Sequence, residues 1–495
     1  GSHVQSTEIY DLTIRGGGGN YGMGVRMTGG NLWIHDVLIT DNERQGMSII
    51  LADLLVHDCR FYRNSGGGLY ASGVNCRITD TEFVENTSSG DGAGAYVSGT
   101  EEQLSVISNC SFEGNEGMNG SGLHLRTGDN RQFLVTSCTF KENKAWESGA
   151  LYLECEDTLF NSSSVDITEC RFIENDSYVG GGVYIDAQRG SLNYITNCLF
   201  SGNDATRKYN NFFPEAGAVY LLGDRDSDTR FTNCTFAEND ATRDGCAIRT
   251  DLHEDAIAQF TSCILWNNEP TEIDSTGGIA PIVTYSLVQY GYPGEGNIQT
   301  DPKFIPGELG PYYLRQDCDG TLPYSPCWNA GTGNAAELSY PVLDGMVYLS
   351  ERTTRSDNIF DSGVIDMGYH YPADNVIGMG MNLILADTSL EPGDLFYLHY
   401  YLYNSSASEY IADAWIIMEI YGMYFCYPSW VFMDDGIDYM PEITVPAGSY
   451  HHEVVMNFEW PSISEHATGL YLYGSALNAG TFDIIGDVQV IEWEY

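Results

Sequence analysis

Over the first three hundred positions, apolar and polar residues alternate in short bursts that repeat one phrase. A cysteine, a phenylalanine two places on and an asparagine three beyond recur as Cys59-x-Phe61-x-x-Asn64, Cys110-x-Phe112-x-x-Asn115, Cys138-x-Phe140-x-x-Asn143, Cys170-x-Phe172-x-x-Asn175, Cys198-x-Phe200-x-x-Asn203 and Cys234-x-Phe236-x-x-Asn239. Thr81, Phe83 and Asn86 form one variant, and Cys263, Leu265 and Asn268 another. Val37, Ile39 and Asn42 read as an earlier, weaker copy, and Leu12, Ile14 and Gly17 as the first. A variable loop follows each phrase, then glycine and a second apolar strand, as in Gly68-Leu69-Tyr70-Ala71 and Gly182-Val183-Tyr184-Ile185. Period-two alternation marks both segments as strands. The steps between asparagines are 22, 22, 29, 28, 32, 28, 36 and 29 residues, so the spacing varies while the phrase does not.

Steps of this size with such short strands predict one turn of a parallel β-helix per repeat. A leucine-rich frame is absent, and propeller blades need about 40 residues or more. Stacked coils place like positions about 4.8 Å apart. Phe and Cys are therefore expected to point inward and pile into an apolar column. Asn at the bend can hydrogen-bond backbone in the neighbouring coil and tolerates left-handed geometry, and Gly is expected to relieve the next corner. Phe172-Ile173-Glu174-Asn175 with Gly181-Gly182-Val183 resembles the repeats of chlamydial polymorphic outer-membrane proteins. More broadly the chain resembles the right-handed parallel β-helix, or pectin-lyase-like, superfamily over roughly residues 8–300. The resemblance implies the fold and its handedness. It leaves function open, because that superfamily holds polysaccharide lyases, glycoside hydrolases, esterases, adhesins and phage tailspikes. Its pectinase-type paired aspartates are not evident, and no autotransporter barrel follows.

The predicted organisation is a β-helix over residues 1–300, an irregular closing segment over 301–373 and a β-sandwich over 374–495. The closing segment is rich in Pro and Gly and is expected to cover the open end of the solenoid, whose last coil would otherwise expose an edge. Beyond it, aromatic strands such as 395–403, 415–421, 454–460 and 469–475 alternate with turns such as Glu391-Pro392-Gly393-Asp394. They read as an Ig-like antiparallel sandwich. The first coil starts almost at once, which implies a longer N-terminal part in the full gene product. The chain opens on Gly1 rather than Met, so the missing leader does not mark it as cytoplasmic.

Charge narrows the partners. Lys and Arg total 22 against 69 Asp and Glu, a formal net charge of −47. That excludes a phosphate-binding groove, hence nucleic acid, and disfavours an anionic bilayer. No apolar run is long enough to span a membrane. The balance suits cation binding and an extracellular or cell-surface location. Of the 13 cysteines, seven share one rung position and read as buried small hydrophobes with parallel Cβ vectors, poorly placed for disulfides. Cys318 and Cys327 lie in the irregular stretch and are the candidate disulfide.

Candidate chemistry sits on the strand after the glycine. Leu69, Ala95, Leu123, Leu151, Val183, Val219 and Ile248 point inward there. The next residues, Tyr70, Tyr96, His124, Tyr152, Tyr184, Tyr220 and Arg249, must point out. Two places further stand Ser72, Ser98, Arg126, Glu154, Asp186, Leu222 and Asp251. A column of rings beside a column with acids on adjacent coils suits a repeating polymer, because sugars stack on exposed aromatics. Equally, tyrosine is a good outward strand residue that stacks on its own neighbours. Glu154 and Asp186 are expected about 5 Å apart, near the retaining-glycosidase range. That separation also suits Ca²⁺, and such a pair should raise one pKa or recruit a cation. Arg126 is a candidate base. Tyr209 and Phe212, in the loop from Asp204 to Glu215, are further candidate contacts. The sequence therefore points first to an adhesin-like glycan-binding protein without catalysis. A polysaccharide lyase or glycosidase using Glu154, Asp186 or Arg126, with Ca²⁺, is the second reading, and a structural spacer the third.

Overall fold

A computed structural model of the chain describes residues 6–493 except 20–21, 100–102, 129–130, 157–162, 206–214, 242–245, 308, 317–323, 344, 357–359, 373–378, 386–389, 391, 393–394, 405–409, 422, 433–437, 446–448, 460–469 and 479–483. Its described elements are strands, save short 3₁₀ turns. The chain divides into two compact units. The first comprises residues 1–302, 326–349 and 362–370, and the second residues 303–325, 350–361 and 371–495.

The first unit is a parallel solenoid. One coil shows its construction: Leu123–Thr127, Gln132–Thr136, Thr139–Lys141 and Lys144–Ser148 follow one another, and Leu151–Cys155 then pairs in parallel with Leu123–Thr127. The register is set by the repeated phrase. Phe61, Phe83, Phe112, Phe140, Phe172, Phe200 and Phe236 are partners on successive coils, each fully buried. Their rings lie parallel at 4.6–4.8 Å. Each fully buried ring contributes about 1.5–3 kcal/mol relative to exposure.

The predicted thiol stack is present. Cys59, Cys110, Cys138, Cys170, Cys198, Cys234 and Cys263 are buried beside the phenylalanine column. Each Sγ donates to the carbonyl two residues before it, as Cys138 does to Thr136 at 3.3 Å. Burial pushes the Cys59 thiol up to about 11. A thiol reacts as its thiolate. All seven are buried out of a reagent's reach, so they should resist iodoacetamide in the native protein at pH 8 and all label after unfolding, as mapped by mass spectrometry. Labelling of the folded chain at any of them would refute the stack. Cys318 lies outside the described residues; Cys327 is buried.

The asparagines bond backbone of the neighbouring coil as expected, while the left-handed geometry falls on another residue. The left-handed residue is the one before each asparagine: Arg63, Glu85, Glu142, Glu174 and Glu238 have φ of 51–59°. The asparagines themselves are buried and form a ladder. Asn143 Nδ2 donates to Asn175 Oδ1 at 3.0 Å and to the Phe112 carbonyl at 2.8 Å, and its backbone N–H donates to the same Oδ1. The pattern runs from Asn64 through Asn239. At its last rung Asn268 has no further asparagine. Glu272, itself buried, supplies both oxygens: Nδ2 donates to Oε2 at 2.5 Å and the backbone N–H faces Oε1 at 3.4 Å. At the next corner Gly149 takes φ 53°, and a Cβ there would lie 2.5 Å from the Leu151 carbonyl oxygen, so only glycine fits.

The last coil is closed earlier than expected. Residues 290–298 fold back, so that the Val288 N–H donates to the Ile298 carbonyl and Asn297 Oδ1 accepts from Ser286. The parts of the following segment that belong to this unit, residues 326–349 and 362–370, contact the wall. His370 and Asn197 exchange two hydrogen bonds, Asn233 donates to the Asp366 carbonyl, and the Tyr340 hydroxyl donates to Glu169. The physical reason is local. At Glu169, Asn197, Asn233 and Ser262, each the corner residue before a cysteine, this segment supplies hydrogen-bond partners for the side chain.

In the second unit, Met379–Leu385, Leu395–Asn404 and Ser449–Glu459 form one antiparallel sheet. Tyr410–Ile420 is central to a second sheet, between Met423–Cys426 and Leu470–Asn478. Phe396, Leu398 and Tyr400 of the first sheet share a core with Ala414, Ile416 and Leu472 of the second.

Candidate functional site

The post-glycine strands pair in the predicted register. Tyr70, Tyr96, His124, Tyr152, Tyr184, Tyr220 and Arg249 are successive partners, as are Ser72, Ser98, Arg126, Glu154, Asp186, Leu222 and Asp251. Because inward Leu and Val alternate with them, both rows lie on the outer face. The tyrosines are half-buried.

Ring geometry corrects the expected use of this face. Tyr70 and Tyr96 stack at 4.9 Å and 10°, and Tyr184 and Tyr220 at 5.1 Å and 6°. Their mutual stacking occupies the ring faces between them, so at these pairs hydroxyls and ring edges remain for a ligand. The column turns only at His124, which meets Tyr96 at 66° and Tyr152 at 57°, and at Tyr152, which meets Tyr184 at 69°.

His124 is also not the solvent-facing residue its register implies; it is 2% exposed. The two flanking rings and two carboxylates cover it. Its Nε2 lies 3.0 Å from Glu154 Oε2. Its Nδ1 faces Asp91 Oδ2 at 3.6 Å, too far for a hydrogen bond, and is otherwise unpartnered. Arg126 grips Glu156 through Nε at 2.9 Å and Nη2 at 2.5 Å and lies 3.8 Å from Glu154. An arginine held this way is a poor base.

The acid pair splits as stacked carboxylates should. The His124 hydrogen bond holds the Glu154 carboxyl below its ordinary range against the opposing effect of burial, helped by Arg126. Burial raises Asp186, and the charges of Glu154 and Asp224 add to this, while a 2.5 Å hydrogen bond from Gln188 opposes them. Each carboxylate of the pair is thus engaged beside its own strand. Among the described residues no group of three or more His, Cys, Asp or Glu converges as a metal ion requires, Glu154 and Asp186 included.

Tyr209 and Phe212 lie outside the described residues. Sequence reasoning missed Asp91, Glu156 and Gln188. Glu156 and Gln188 stand two places after Glu154 and Asp186, so period-two reading could have found them. Asp91 sits in a variable loop and carries no periodic signal. No described helix is long and apolar enough to cross a membrane.

A family model described as a right handed beta helix region matches residues 1–140 and 91–212. No curated protein and no solved structure matches the chain. The matched stretch and the coil-by-coil strand register agree, and the first unit of this chain is a parallel β-helix.

Proposed function

We propose that the chain is a secreted or surface-displayed, adhesin-like β-helix protein that binds a glycan along the outer face of its tyrosine strands. The pectin-lyase-like and chlamydial-type resemblances are consistent with such a role, and the C-terminal unit would serve as an Ig-like spacer or attachment module. The observation that carries the reading is the pair of outward rows in one register, half-buried and rich in hydroxyl and carboxylate groups. Sugar hydroxyls pair well with such groups, and a solenoid repeats them at the strand spacing. Contact is through ring edges and hydroxyls, with Tyr152 and Tyr184, where the stack turns, as its centre.

Tyr152→Ala combined with Tyr184→Ala is expected to lower binding to any recognised glycan at least about tenfold, roughly 1.4 kcal/mol, with an unchanged circular dichroism spectrum. Equal binding by the folded double variant would remove this face from the reading. One observation favours catalysis as the second reading: His124 and Glu154 form a hydrogen-bonded pair of titratable groups at 3.0 Å. Soluble products from a polysaccharide panel, read by mass spectrometry, would move the protein to the lyases or glycosidases. Neither binding nor products would leave the spacer.

A further inference from the structure

We propose that the outer face of the second sheet in the C-terminal unit is a docking surface for a neutral glycan, independent of the helix strands. The face follows from alternation. Ala412, Ala414, Ile416 and Met418 point into the core between the two sheets, so Trp415, Ile417 and Glu419 of the central strand point out. Opposite Glu419 stand Tyr424 on one neighbouring strand and Tyr471 on the other, and opposite Ile417 stands Tyr473. Tyr424 is 39% exposed, and Trp415, Ile417, Tyr471 and Tyr473 are half-buried. Aromatic rings on three adjacent strands thus meet solvent around one carboxylate.

Three features favour sugar as the occupant. The rings are held in place before any ligand arrives. The Tyr473 hydroxyl donates to Glu419 Oε2 at 2.7 Å. The Tyr424 hydroxyl engages the same carboxylate, whose hydrogen bonds push both phenols up, Tyr473 to about 12. Side chains fixed in advance lose little freedom on binding. A carboxylate has about four acceptor sites, so Glu419 orients two rings and still accepts from sugar hydroxyls.

The ring faces are the second feature. On the helix, Tyr70 and Tyr96, like Tyr184 and Tyr220, cover each other's faces. Here Tyr471 and Tyr473 lie 6.2 Å apart at 33° and do not. Trp415 has neither a hydrogen-bond nor a ring partner among the described residues.

Charge is the third. The last Lys or Arg of the whole chain is Arg355, so residues 356–495 carry acids and no such cation. The two sheets therefore offer nothing to meet a uronate, sulfate or phosphate group. A basic protein would suit the charge, but the carboxylate at the centre of the face is already shared by two phenols. A neutral glycan presents what the face complements: C–H surfaces for the rings, and hydroxyls for the carboxylate and the indole.

The test titrates the whole chain calorimetrically with cellohexaose, xylohexaose and mannohexaose, with the hexasaccharide of galacturonate, and with decalysine. At least one neutral oligomer is expected to bind. Trp415→Ala and Tyr473→Ala, each with an unchanged circular dichroism spectrum, should weaken it at least about tenfold. Tyr473→Phe keeps the ring and loses its hold on Glu419, so it should weaken the same oligomer only several-fold. Tyr152→Ala with Tyr184→Ala leaves this surface intact and separates it from the helix face. Loss of binding in that double variant but not in folded Trp415→Ala moves the glycan to the helix and overturns this surface. Loss in Trp415→Ala alone supports it and removes the helix face instead. Failure of all three neutral oligomers to bind at about 1 mM overturns the proposal. Tighter binding of the galacturonate oligomer overturns the neutral preference, and binding of decalysine alone gives the face to a basic protein partner.

Discussion

Asn175→Ala is expected to cost the β-helix about 3 kcal/mol or more. The side chain occupies one rung of the buried ladder, and its loss takes a hydrogen-bond partner from three buried groups. The Asn143 backbone N–H and Nδ2, both at 3.0 Å, lose the Oδ1 acceptor. The Phe140 carbonyl, at 2.9 Å, loses its donor. Each buried group left unpaired costs about 1–3 kcal/mol, and the alanine leaves a space within the coil corner as well. Against a typical total of about 5–15 kcal/mol this is a large fraction. In a solenoid it also weakens the contact between two successive coils, through which stability is transmitted. Urea denaturation should show a clearly lower midpoint. Gln132→Ala, at an exposed strand position, is the control and should change stability by under about 1 kcal/mol. If the two variants unfold together, the ladder does not hold the coils in register.

The second large effect is a pH dependence with an unusual sign. Glu272 accepts the final rung of the ladder and is buried, and that burial raises its carboxyl from 4.5 to about 7. The two hydrogen bonds from Asn268 act in the opposite direction and do not cancel it. A group whose folded pKa lies above its unfolded value stabilises the fold fully below the unfolded value. That contribution disappears as pH rises through the folded one. For Glu272 the window is therefore about pH 4.5 to 7, and the change across it is about 3 kcal/mol. Burial raises Asp166 and Asp204 to about 6, in the same sense. The helix unit should accordingly gain stability as pH falls from 7 toward 5. Glu272→Gln should flatten that slope between about pH 6 and 7 and leave the Asp166 and Asp204 part below it, since glutamine is neutral throughout and keeps one oxygen acceptor. A variant with the wild-type slope would place the titration elsewhere.

Much of the candidate site was legible because a strand has a period of two. Once Leu151 and Val183 are inward, Tyr152, Glu154, Tyr184 and Asp186 must be outward, and stacking of coils then makes them neighbours. The same logic gave the phenylalanine and cysteine columns. Periodicity was silent on ring tilt, on the burial of His124 and on the capture of Glu154 by that histidine. These depend on how each side chain packs against the coil above and below it.

The sequence alone thus determined the coil, its register and which residues face out, since each follows from a local pattern repeated at equivalent positions. Only the tertiary structure decided how the ends and corners are satisfied. Glu272 closes the ladder, residues 290–298 close the last coil, and the segment containing Asp366 and His370 serves the wall. Those groups lie far apart in the chain or outside the repeat, and a buried donor selects its acceptor by proximity in space, which no local pattern encodes.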